Sequence, residues 1–112
     1  MQAEDRIRLQ HMVEAVQAAQ QFMTGRDRAA LDQDEMLLFA VVRALEIMGE
    51  AATRVSAETR AAASGIPWPA IVGMRNRVVH AYFSIDREVV WKTVSAELPQ
   101  LLTALQAALN KA

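Results

Sequence analysis

Leu9, Met12, Val16, Ala19 and Met23 follow one another at steps of three, four, three and four. That spacing gathers side chains on one face of an α-helix, so it predicts a helix from about Ala3 to Thr24 with Gly25 as its stop. The polar stretch from Gly25 to Leu31, with Arg26, Asp27 and Arg28, reads as a short surface loop. Asp32 with Glu35 three residues later has the form of a capping box. Behind it Leu38, Val41, Leu45, Met48, Ala52 and Val55 step by three and four through the clearest helix of the chain. Ser56 caps a brief helix through Glu58 to Ala63, which Gly65 ends. Pro67 and Pro69 fit only the first turn of the next helix, from Trp68 to about Ala81 with a break near Gly73. Asp86 is the expected N-cap of the last helix, whose apolar face holds Trp91, Val94, Leu98, Leu101, Leu105 and Ala108 and whose interior Pro99 should kink it. No strand-like alternation competes and no segment repeats. The pattern predicts one all-α domain over residues 1–112, an antiparallel bundle of four to five helices.

Composition narrows the functions open to such a bundle. The chain has no cysteine, which removes disulfides, iron–sulfur clusters, thiol nucleophiles and thiolate zinc sites. The uncharged stretch from Ala61 to Met74 contains two prolines and falls short of the roughly 20 apolar residues a membrane span needs. The first residues carry Glu4, Asp5, Arg6 and Arg8 with no apolar segment behind them, so a cytoplasmic location is expected. With 12 basic and 13 acidic residues the net charge is −1, which argues against coating nucleic acid through bulk charge and leaves room for a small anion site. Three helical seams around so small an interior leave apolar surface over, and a two-fold homodimer is the commonest way to cover it.

The segment from Met74 to Phe83 concentrates the chemistry: Arg75, Asn76, Arg77, His80 and the single tyrosine, Tyr82. On an ideal helix, at about 100° per residue, Tyr82 falls roughly 20° from Arg75, and Asn76 and His80 are neighbours one turn apart. Arg77 and Ala81 lie opposite. An arginine can hold two phosphate oxygens, and an imidazole can move protons at neutral pH. RNA brings its own nucleophile in the 2′-hydroxyl, so cleavage there requires a proton acceptor, a proton donor and a cation but no metal. One chain offers only His80 and the distant His11, so a site using two bases draws on two subunits. The plainer reading makes His80 a capping or packing residue, Tyr82 and Phe83 core aromatics, and Arg75 and Arg77 solvated.

Other constellations say less. Arg43, Glu46 and Glu50 have the spacing of an exposed ion-pair ladder. Two carboxylates are too few for magnesium. Glu46 flanks the apolar seam, within reach of Arg75 or His80 across the bundle. His11 is expected in solvent, Trp68 and Trp91 in the core. There is no phosphate-cradling glycine loop, no Ser/His/Asp order and no metal-ligand spacing.

Arg75-x4-His80-x-Tyr82 resembles the Arg-x(4–6)-His-x-Tyr signature of the HepT-like toxins of the HEPN superfamily. The likeness continues through Leu45-Glu-Ile-Met-Gly-Glu-Ala-Ala52, Ile66-Pro-Trp68, Val90-Trp91 and Glu97-Leu-Pro99, nearly the whole chain in order. It departs at Ala61-Ala-Ala-Ser-Gly65, where a His-Pro often precedes Ile-Pro-Trp. The resemblance implies a homodimeric HEPN-type bundle acting as a metal-independent, cofactor-free endoribonuclease with its site at the dimer interface. By position, Arg75 would bind the scissile phosphate, His80 would act as general acid or base, and Asn76 would orient the site. It further implies a type VII-like toxin–antitoxin pair, in which a minimal nucleotidyltransferase antitoxin (MntA-like) attaches AMP to Tyr82. The alternatives are a noncatalytic helical subunit that holds a nucleotide or docks a nucleotidyltransferase, and a purely structural dimer.

Overall fold

The computed structural model describes residues 1–80 and 84–111. Helix α1 spans Ala3–Phe22, and the chain turns at Gly25, whose φ of +72° is open to a residue without a Cβ. The loop expected up to Leu31 is instead mostly helix: α2 runs Arg28–Gln33, capped by the Asp27 carboxylate, which accepts from Ala30 N. Ala30 and Leu31 are drawn into the core. Six residues are too few to show a helical period, and tertiary burial supplies what local pattern lacked. Helix α3 spans Glu35–Thr53 and its cap is Asp34, which accepts from Leu37 N at 3.0 Å; Asp32, the cap expected from sequence, pairs with Arg28 at 3.0 Å. Val55 follows the end of α3 and is buried with the seam.

Ser56 caps α4, Ala57–Ala62, as its position suggested. The break at Gly73 is present and separates α5, Trp68–Val72, from α6, Met74–Val78. The helix expected to reach Ala81 stops at Val78. Two β-branched residues in succession, Val78 and Val79, favour extended backbone, and Val79 adopts it at φ −119°, ψ 114°. A two-residue strand β1, Val79–His80, then pairs antiparallel with β2, Ser84–Ile85, with His80 opposite Ser84. Asp86 N closes this hairpin on Val78 O at 2.8 Å, and the Asp86 carboxylate caps α7, Arg87–Lys92. The expected absence of strands is thus corrected by one small hairpin.

Where Pro99 was expected to kink the last helix, a π turn, Thr93–Glu97, lies between α7 and α8, Leu98–Asn110. In a regular helix the proline ring would collide with the carbonyl one turn earlier, and widening that turn removes the collision. Val90, Val94, Leu98, Leu101 and Leu105 still face the core, with Trp91 half-buried against it. Trp68 is buried and its indole donates to Ala63 O at 3.1 Å. The result is all-α, with α1, α3 and α8 as long members and α5 and α6 packed on α3. Among the described residues no helix is long and apolar enough to cross a membrane.

Candidate functional site

Gly49 sets how closely α3 meets the α5–α6 segment. A Cβ there would lie 2.8 Å from Ile71 O and 3.2 Å from Met74 Cβ, so only glycine permits this approach. One turn earlier on α3 stands Glu46, and one residue after Met74 stands Arg75. The two meet: Arg75 Nε lies 3.0 Å from Glu46 Oε2. Glu46 keeps 22% of its side-chain exposure, whereas Arg75 keeps 68%, so a half-buried carboxylate anchors a guanidinium that still opens to solvent. Gly49 is the residue sequence reasoning passed over; its signal is an isolated glycine inside a strongly periodic helix.

The pairing realises one of the reaches open to Glu46, that to Arg75, and it dissolves the ladder. Glu46 turns to Arg75, and Glu50 approaches Arg54 at 4.0 Å, so the run Arg43–Glu46–Glu50 does not pair along α3. Arg77, on the other side of α6, is held by Glu97 through three contacts of 3.0 to 3.2 Å, tying α6 to the π turn. Asn76 is exposed beside Arg75. His80 follows on β1, two residues beyond the end of α6. Because the backbone there is extended, His80 does not sit one helical turn above Asn76, and the helical-wheel argument relating Tyr82 to Arg75 loses its premise. Tyr82 itself lies outside the described residues. His11 is exposed on α1, as expected.

Among the described residues no three carboxylate or imidazole side chains gather to hold a metal ion. What the geometry offers is an oriented cation. A guanidinium that is both tethered and solvent-facing can receive phosphate oxygens with little loss of side-chain freedom, at the cost of competing with its own carboxylate.

The family described as "Ribonuclease HepT-like" matches residues 12–108. A protein of Caldanaerobacter subterraneus named as a "putative RNase" is 32% identical over 103 residues, covering 92% of each chain. A "probable ribonuclease HepT" of Thermococcus cleftensis is 36% identical over 83% of this chain and 84% of its own. A "putative RNase" of Methanocaldococcus jannaschii is 33% identical over 83% of this chain and 85% of its own. No solved structure matches the chain.

Proposed function

Since the chain belongs to the HepT-like ribonuclease family, we propose that it is a metal-independent endoribonuclease, the toxin of a type VII-like toxin–antitoxin pair working as a cytoplasmic homodimer. The observation that carries this reading is Arg75, solvent-facing yet anchored by Glu46, on a helix that runs straight into the strand bearing His80. Arg75 neutralises the scissile phosphate as negative charge builds on its oxygens. His80 takes the proton from the 2′-hydroxyl as that oxygen bonds to phosphorus, or returns one to the departing 5′-oxygen. A single imidazole cannot hold both roles in one step, which supports a cleft lined by His80 of two copies. Asn76 orients the RNA backbone.

Tyr82 is the acceptor through which an MntA-like nucleotidyltransferase silences the site: its phenol oxygen bonds to the α-phosphorus of ATP and pyrophosphate leaves. The bulk and charge of the added AMP then exclude RNA.

Purified protein incubated with RNA in EDTA should cleave it, and His80→Ala and Arg75→Ala should each slow cleavage by roughly 10²-fold or more. Equal rates in wild type and variants would remove the nuclease reading and leave the noncatalytic, nucleotide-holding subunit, which the net charge of −1 otherwise suits. Reaction with the partner and ATP should add one AMP to Tyr82, read by mass spectrometry.

A further inference from the structure

Helix α6, Met74–Val78, is five residues long and has no side-chain N-cap among the described residues, so its own backbone does little to fix how it lies. Its sides do that. At about 100° per residue, buried Met74 and Val78 share one face; Arg75 stands roughly 80° to one side of that face, Arg77 roughly 80° to the other, and exposed Asn76 points directly away from it. Each arginine is met by a carboxylate from a different element, and the two grips differ. Both terminal amino groups of Arg77 donate to Glu97: Nη2 to Oε2 at 3.0 Å and to Oε1 at 3.2 Å, and Nη1 to Oε1 at 3.2 Å. That end-on fork fixes a guanidinium in direction as well as in distance. Arg75 meets Glu46 through Nε at 3.0 Å, makes no such fork among the described residues and keeps most of its side chain in solvent. One flank of α6 is thus clamped while the other stays open to a ligand. The clamping carboxylate closes the π turn Thr93–Glu97, and π turns recur at functional sites.

We propose that Glu97 is a positioning residue for Arg75: by holding Arg77 it fixes the roll of α6 about its own axis, and so sets where the Arg75 guanidinium opens to solvent and where the chain enters β1. The lever is long enough to matter. At a side-chain radius of about 5–6 Å, a roll of about 20° carries a group sideways by about 2 Å. A misplacement of about 1 Å in a site can cost on the order of a hundredfold in rate. Stability answers differently, because an exposed ion pair contributes little to it. Charge answers differently again: taking away the Glu97 carboxylate removes a negative charge two residues along the helix from the arginine proposed to hold phosphate, so RNA binding holds or tightens while turnover falls. That split separates positioning from a structural or a substrate-binding role. The inference rests on the ribonuclease reading for its effect on turnover, whereas the roll of α6 can be read without any substrate.

In Glu97→Ala, the amides of Arg77 and Val79, which donate to Gly73 O and Arg75 O, should exchange hydrogen for deuterium about tenfold faster, with those of α1 and α3 unchanged and the melting temperature lower by a few degrees at most. Cleavage of an RNA oligonucleotide in EDTA should show kcat lower by about tenfold or more and KM unchanged or lower. The double reversal Arg77→Glu with Glu97→Arg remakes the pair with its signs exchanged and should restore both the slow exchange and most of kcat. Glu88→Ala breaks an exposed pair of the same kind, Arg28 with Glu88 at 3.1 Å, away from α6, and should change neither reading. Arg77 and Val79 amides indifferent to Glu97→Ala, a double reversal that restores neither quantity, or an equal loss of kcat in Glu88→Ala would each overturn the proposal. A wild type that cleaves no RNA removes the ribonuclease reading, and the exchange rates then decide by themselves whether Glu97 sets α6.

Discussion

Asp5 is a carboxylate only 3% exposed that makes no ion pair with another described residue. Three donors replace the water it has lost: Ser56 N at 3.0 Å, Ser56 Oγ at 2.6 Å and Thr59 Oγ1 at 2.6 Å. Its hydrogen bonds to Ser56 and Thr59 hold its pKa below the usual carboxylate value and outweigh burial, which pushes the other way. They also fasten the start of α1 to the start of α4. Asp5→Ala strands those buried donors and should cost about 3 kcal/mol in urea unfolding at pH 7. The pH dependence follows from the depressed pKa. The stabilisation is complete above the unfolded carboxylate pKa, near 3.8, and is lost as pH falls from there through the lower folded value. Wild type should therefore lose more stability between pH 6 and pH 3 than Asp5→Ala does. Asp34, held low by Leu37 N and Arg26, adds a smaller loss in the same direction because it is partly solvated.

At the scale of elements, the meeting of α3 with α5 and α6 positions the site, and Gly49 decides it. Alanine in a helix interior gains about 1 kcal/mol over glycine. Here the added methyl meets a backbone carbonyl at 2.8 Å, and overpacking of this kind costs roughly 1–3 kcal/mol. Gly49→Ala should lower the melting temperature by several degrees and move Arg75 away from Glu46, reducing any RNA cleavage more than the stability loss accounts for. The long helices were legible because their seams repeat for four or five turns: Leu38, Val41, Leu45 and Met48 are all buried. The short elements were not. Helix α2 and the 79–85 hairpin have too few residues for a period to show, and each exists because its ends are fixed by Asp27, Val78 O and Asp86.

For the molecule as a whole, a net charge of −1 leaves little long-range attraction for RNA, so the proposed RNA binding calls for local contacts of the kind proposed for Arg75. With one or two phosphates neutralised per site, the logarithm of RNA affinity should fall with the logarithm of salt at a slope of about −1 to −2, measured by fluorescence anisotropy. A slope near −5 would point to a broad basic surface that the composition does not provide. The amino-acid sequence by itself determined the all-α class, the seams of α1, α3 and α8, the caps Ser56 and Asp86, and which side chains could bear chemistry, because each depends on spacing within a few turns. It could only allow Glu46 to reach Arg75 or His80. The Arg75–Glu46 pair, the end of α6 at Val78 and the apolar face left open on α1 and α3 were settled by packing between segments distant in the chain, where one missing Cβ at Gly49 fixes how near two helices come.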